Sequence, residues 1–271
     1  MDEPVAGRGW SGTLYMNDFD ARFGGVARLY GRTGLEKLQA AHVAVIGVGG
    51  VGVWAAEALA RSGVGAITLV DMDEVCATNI NRQLHALTHT VGQPKVQVMA
   101  ERLLQINPQC QVTALPVFFH SENADSIFTS KLDYVFDAVD SFKDKVGLLH
   151  ACQSRSIRVV SAGAAGGRRA ADQVRMADLS MVTHDRLLAG VRRELRRLNN
   201  LDGDRKPMGI DCVYSPEPPV YAQPDGTVGP VRPEAEPGTR LDCNAGLGSA
   251  AFVTGTFGFV AASWIVGRIA A

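Results

Sequence analysis

The apolar residues of this chain fall into short, dense runs separated by stretches of helical periodicity. Residues 42–47 (HVAVIG) form a β-branched apolar run of the kind that makes a parallel strand buried on both faces. A glycine turn follows, then residues 53–62 (VWAAEALARS) with helical spacing of their apolar positions. Residues 66–71 (AITLVD) predict a second strand ending on an acid, 94–106 a helix, 111–117 a strand and 134–138 (YVFDA) another strand. Residues 145–155 read as a helix and 158–161 (RVVS) as a further strand. Strands alternating with helices at this spacing predict an α/β protein with a doubly wound, mainly parallel sheet.

The C-terminal half is less regular. Residues 183–206 contain a basic helical stretch and 216–237 a Pro-rich loop, so 183–240 reads as an irregular insertion within one domain spanning 1–271. Residues 1–17 are rich in glycine and small polar types and are expected to fray; 18–31 form a short arm carrying Arg22 and Arg28. Residues 252–270 are almost uncharged and close to the roughly 20 residues that span a bilayer. A buried core helix is the expectation, because a lone span here lacks a basic flank to orient it.

Composition narrows the function classes. A formal net charge of -1 is no global signature of a nucleic-acid binder, so any basic surface must be local. The cysteines (Cys76, Cys110, Cys152, Cys212, Cys243) are odd in number and contain no Cys-x-x-Cys pair. That argues against a disulfide framework and a four-thiolate zinc site, and for a reducing, cytoplasmic setting.

The candidate chemistry begins at the glycine turn. Gly47-Val48-Gly49-Gly50-Val51-Gly52 fits G-x-G-x-x-G between a strand and a helix, a Rossmann-like arrangement in which free N–H groups at a helix N-terminus face phosphate. Asp71 stands about 20 residues on, where a carboxylate accepts from ribose hydroxyls. This pattern alone does not separate NAD, FAD and ATP. The following stretch adds Asp73, then Thr78-Asn79-Ile80-Asn81-Arg82-Gln83 and Gly92-Gln93-Pro94-Lys95. Arg82 and Lys95 supply two cations for a polyphosphate. A dehydrogenase develops no reaction charge on its pyrophosphate, whereas an enzyme that breaks the α–β phosphate bond does. Asp140, just past a strand end in DAVDS, is a candidate for holding Mg2+ near the α-phosphate.

GVGGVG, LVDMD, TNINRQ, VGQPK and DAVDS, in this order and spacing, resemble the bacterial ThiF/MoeB/HesA branch of ubiquitin-activating-type adenylating enzymes. The resemblance runs from about Arg22 to Ser161, with a further match over 243–258. Within that branch, RFGGVARLYG, EALARSGVGAITLVDMDEVCATNINRQLHAL, GAAGG and GIDCVYSPE are similar to members that dehydrate a threonylcarbamoyl group at position 37 of tRNA. The resemblance implies ATP contacts at Gly50, Asp71, Thr78 to Arg82, Lys95 and Asp140, with Asp140 essential for adenylation. It also implies a homodimer in which an arginine of the N-terminal arm, here Arg22 or Arg28, reaches the partner's phosphates. Many relatives hold a zinc between two Cys-x-x-Cys pairs; this chain lacks them, and no zinc is expected. Cys243 stands where some relatives keep a cysteine and reads as a buried structural thiol.

The implied reaction converts a carboxylate to an acyl-adenylate with release of pyrophosphate. The neighbouring carbamoyl group then closes a five-membered ring with loss of AMP, so no protein nucleophile is required. For tRNA the sequence offers Arg192, Arg193, Arg196 and Arg197, two i,i+4 pairs on one basic helix. The main alternative is adenylation of the C-terminal carboxylate of a ubiquitin-like sulfur carrier. A non-catalytic nucleotide-binding partner of a cysteine desulfurase or sulfur-acceptor system, and a dehydrogenase, fit the Arg82/Lys95/Asp140 set less well.

Overall fold

The computed structural model describes residues 18–129, 131–200, 206–233 and 247–271; the 1–17 segment and Cys243 lie outside the described residues. From the N-terminal side run α1 (Asp18–Ala40), β1 (His42–Ile46), α2 (Gly52–Arg61), β2 (Ala66–Val70), α3 (Lys95–Ile106) and β3 (Gln111–Leu115). Then come α4 (Ala124–Ile127), β4 (Tyr134–Asp137), α5 (Phe142–Ser154), β5 (Val159–Ala162), β6 (Arg175–Asp178) and α6 (Arg186–Leu198). The strand β7 (Asp211–Tyr214), the two-residue pair β8 (Tyr221–Ala222) and β9 (Val228–Gly229), and α7 (Ala251–Ala270) complete the order.

Seven strands form one sheet in the order β3-β2-β1-β4-β5-β7-β6. Every neighbouring pair is parallel except β6 with β7. The sheet grows outward from β1 in one direction and from β4 in the other. The loops leaving the carboxyl ends of β1 and β4 therefore flank the crevice where doubly wound sheets bind ligands.

Both faces of the sheet are covered, which is why its central strands are mostly apolar on both faces. Val43, Val45, Ile67, Leu69 and Phe136 join a core with α2, α3 and α7, while Ala44, Ile46, Val70 and Val135 join a second core with α5 and α6. The apolar C-terminal segment is α7, long and apolar enough by composition to cross a membrane. In this fold it is a core helix, with Val253, Phe257, Ala261 and Ile265 fully buried. A Cβ at Gly258 would lie 2.6 Å from the Val51 carbonyl oxygen, so glycine there lets α7 lie against the first turn of α2.

Two expectations change. The 18–31 arm is the first half of a 23-residue helix that bends at Gly31 (φ 76°) and buries Phe19 and Phe23. Residues 183–240 are not simply an irregular insertion: they supply α6 and also β7, which pairs with both β5 and β6 inside the main sheet. Strand β7 is only four residues long and begins on a charged residue, so its pattern alone does not announce a buried strand.

Candidate nucleotide-binding site

The glycine turn joins β1 to α2 at the crevice. Gly47 has φ 92°, and a Cβ on it would lie 2.8 Å from the Ala138 carbonyl oxygen in the loop after β4. A Cβ on Gly52 would lie 1.8 Å from the Gly47 carbonyl oxygen, so α2 can start this close to β1 only with glycine there. The two contacts bring the β1 and β4 loops together.

Asp71, at the end of β2, braces the turn. Its carboxylate accepts the Val48 N–H at 2.7 Å through Oδ2 and the Asp73 N–H at 2.9 Å through Oδ1. Burial raises the Asp71 pKa, opposed by the nearby Lys95 charge. Asp73 pairs with Lys95, Oδ2 to Nζ, at 2.7 Å. Lys95 is only 5% exposed, so its ammonium is desolvated at the start of α3. Val48, Asp71, Asp73 and Lys95 thus form one connected chain of polar contacts.

The 3-10 turn over residues 77–79 carries the rest. Asn79 is buried, and its Oδ1 accepts the Cys76 N–H at 3.0 Å, which shapes the turn. Thr78 Oγ1 donates to the exposed Cys76 sulfur at 3.2 Å; this hydrogen bond, the largest of several, holds the thiol pKa below its usual value. Arg82 lies over Gly50, its Cγ and Cδ each 3.4 Å from where a Gly50 Cβ would stand. Its Nη1 donates to the Thr78 carbonyl at 2.8 Å and to Asn81 Oδ1 at 3.0 Å. The Arg82 carbonyl accepts from Trp54 Nε1 of α2 at 3.0 Å, and Asn81 Nδ2 donates to the Ser249 carbonyl at 2.8 Å. Gly47, Gly49, Gly50, Gly52, Asp71, Asp73, Thr78, Asn79, Asn81, Arg82 and Lys95 therefore surround one crevice, with exposed Asp140 on the facing β4 loop. Among the described residues no group of three His, Cys, Asp or Glu side chains is placed to hold a metal.

Arg22 is elsewhere. Its Nε pairs with Asp18 at 2.7 Å and its Nη1 donates to the Ile106 carbonyl at 3.4 Å. Lys95 opens α3 and Ile106 closes it, so Arg22 contacts the end of α3 about 16 Å along the helix axis from the residue that carries the Lys95 ammonium. The basic helix is also partly committed. Arg192 Nη1 donates to the Leu179 and Val182 carbonyls at 3.2 and 2.8 Å, which removes it from the solvent-facing set. Arg197 pairs with Glu194 at 2.7 Å, Arg196 is half-buried and Arg193 is exposed.

Several polar groups of the site escape a sequence reading. Gln83, in the TNINRQ run, is 6% exposed with Oε1 lacking a partner among the described residues and Nε2 4.0 Å from where a Gly49 Cβ would stand. His85 is 2% exposed, and burial together with the Lys95 charge pulls its pKa down to about 4. Beneath Asp140, the buried Asp137 carboxylate accepts from Lys145 Nζ and Ser161 Oγ, each at 2.6 Å, and from the Val139 N–H at 3.1 Å. The only sequence signal for this last set was the first acid of DAVDS.

A glycine turn at the switch point, two cations beside it and a facing carboxylate define a nucleotide-binding α/β protein with an adenylating enzyme's layout. The chain belongs to the ThiF family, whose model matches residues 25–269. It is 47% identical over 243 residues to the tRNA threonylcarbamoyladenosine dehydratase of Escherichia coli K12, covering 89% of this chain and 91% of that protein. The enzyme of the same name from Haemophilus influenzae is 41% identical over 255 residues, covering 94% and 95%. A crystal structure of the E. coli enzyme in complex with ATP superposes with a TM-score of 0.82 at 41% identity, covering 95% of this chain and 97% of that one.

Proposed function

We propose that this chain uses ATP to adenylate the carboxylate of a threonylcarbamoyl group on tRNA, at position 37, and thereby removes one water from it. One carboxylate oxygen forms a bond to the α-phosphorus while the bond to the β-phosphate oxygen breaks, and pyrophosphate leaves with the electron pair. The carbamoyl nitrogen then bonds to the acyl carbon, loses its proton, and AMP departs. Ring closure is intramolecular, which gives it a high effective molarity. The reading is carried by the crevice itself: the glycine turn offers N–H groups to phosphate, and Arg82 and Lys95 stand beside it where charge builds on pyrophosphate. Asp140 is the residue that would hold a divalent cation such as Mg2+ here, and such an ion would neutralise further charge on the departing pyrophosphate.

Arg22 acts only if it comes from a second copy of the chain, which supports a homodimer, because its own crevice lies at the other end of α3. The tRNA backbone is contacted along α6 by Arg193 and its neighbours Arg196 and Arg197. That helix begins at the crevice edge of the sheet, where its N-cap Asp185 accepts the Ala164 N–H at 2.8 Å just past β5. The setting is cytoplasmic, where tRNA and ATP meet.

The test is direct. Protein, ATP and Mg2+ are incubated with threonylcarbamoylated tRNA, the RNA is digested, and the nucleoside is weighed. Loss of one water, abolished by Asp140→Asn, is the expected result. No mass change, with pyrophosphate exchange stimulated instead by a sulfur-carrier protein, would overturn it.

A further inference from the structure

Arg168 follows the Gly166-Gly167 turn in the loop after β5 and is 4% exposed. Its Nη2 donates to the His184 carbonyl at 2.8 Å, while its Nε and Nη1 have no hydrogen-bond partner among the described residues. A guanidinium stays charged, and buried charged donors are normally matched by acceptors. The carboxylates around it are already engaged. Asp185 accepts the Ala164 and Leu188 N–H groups at 2.8 and 2.9 Å, and Glu217 accepts the Arg169 and Ala170 N–H groups at 3.0 and 2.9 Å. They act on Arg168 through space and oppose the fall in its pKa that burial imposes. The structure therefore maintains a desolvated cation with two N–H sides unanswered.

Its position gives those donors a use. The Gly167 N–H donates to the Gly248 carbonyl at 2.7 Å, and the next carbonyl, Ser249, accepts from Asn81 Nδ2 at 2.8 Å. Two consecutive carbonyls thus tie the Arg168 loop to the Asn81-Arg82 turn above the glycine loop. Strand β5 is also the neighbour of β4, whose loop carries Asp140. The loop that carries Arg168 follows β5, on the side of the sheet away from β2 and Asp71, the side left for a second reactant when a nucleotide lies at the glycine turn.

We propose that Arg168 is the acceptor-side anchor of this site, its unpaired N–H groups receiving the carboxylate that is to be adenylated. The inference rests on the function proposed above. A guanidinium suits this step because the oxygen that does not bond to phosphorus becomes a carbonyl oxygen and still accepts the same hydrogen bond. Asp185 and Glu217 keep the arginine in place through its surroundings without occupying those N–H groups.

The test compares two ligands that differ only at that carboxylate: threonylcarbamoylated tRNA, and the same tRNA with the carboxylate converted to a primary amide. Binding of each to the full-length protein is measured with a non-hydrolysable ATP analogue present. The parent is expected to prefer the acid by about tenfold or more, the span of one hydrogen bond to a charged group. Arg168→Met should bind both tRNAs within about twofold of each other, with ATP-analogue affinity unchanged. Arg168→Lys, which keeps the charge but not the planar donors, should fall between. An acid preference retained in Arg168→Met, or absent in the parent, overturns the proposal. If Arg168→Met does not fold, the preference of Arg168→Lys decides: a fall below the parent's supports the proposal, and the parent's full preference overturns it. Failure of the parent to dehydrate its tRNA in the mass assay would instead strike the proposed function, so the two failures are distinguishable.

Discussion

Replacing Lys145 with methionine strands the Asp137 carboxylate beneath the crevice. Both side chains are fully buried, and the ammonium sits 2.6 Å from Oδ2. Ser161 supplies the second donor to Oδ2, and Oδ1 accepts the Val139 N–H. Methionine keeps nearly the volume of lysine, so packing is conserved and the loss is the counter-charge. Breaking one side of a buried pair costs about 3–5 kcal/mol, because the remaining ion is left uncompensated. At about 2–4 °C per kcal/mol for a chain near this size, the melting temperature should fall by about 6–20 °C. The double variant Asp137→Asn with Lys145→Met separates charge from contacts. The asparagine oxygen still accepts the Val139 N–H, its amide can donate to Ser161, and no unpaired ion remains. That variant should recover to within about 2 kcal/mol of the parent. Thermal and urea unfolding by circular dichroism of the three proteins decide it. A single variant melting within about 2 °C of the parent, against the shift expected for a broken buried pair, would refute the reasoning. So would a double variant no more stable than the single.

Two further outcomes follow from the titrating groups around the crevice. His85 titrates near 6.5 when unfolded and at about 4 in the fold, so below pH 6.5 the unfolded state takes up a proton that the folded state refuses. Its effect on stability is nil above that pH and grows to a loss of about 3 kcal/mol as pH falls to 4. Urea midpoints at pH 7.5 and 4.5 should therefore differ less in His85→Phe than in the parent, and an equal difference would refute it. Cys76, exposed and shifted down by the Thr78 hydroxyl, should react with iodoacetamide well before Cys110 and Cys152, which burial pushes up to about 11 and about 12. Peptide mass mapping checks this, and equal labelling of Cys110 would count against it.

Strands β1, β2 and β4 were legible because their apolar runs can only be buried on both faces. Strands β6 (RMAD), charged at both ends, and β7 (DCVY), charged at its first residue, are four residues each, and only pairing with the rest of the sheet makes them strands. The crevice was legible where its residues are near in sequence, from Gly47 to Lys95. It was not legible where it depends on contacts such as Asn81 with Ser249, which are 168 positions apart. The α6 arginines illustrate the same limit. Helical spacing puts Arg192 and Arg196 on one face, but spacing cannot reveal that the Leu179 and Val182 carbonyls already hold Arg192.

The pairing of Lys95 with Asp73 bears on how phosphate enters the crevice. The Lys95 side chain is 7% exposed and that of Asp73 53%, so the pair is lopsided. When a phosphate oxygen takes the ammonium, Asp73 can turn outward and regain water at little cost, as exposed carboxylates do in surface pairs. Lys95 has little water to lose, and its attraction for phosphate is felt through a medium of low dielectric constant. Under the proposed function, Asp73 would therefore serve as a resident counter-ion that keeps a buried cation compensated until the nucleotide displaces it. Asp71 differs: both its oxygens are held by main-chain N–H groups of the glycine turn and of Asp73 itself. The two acids of LVDMD thus divide the work, one fixing the shape of the glycine turn and the other pairing with Lys95.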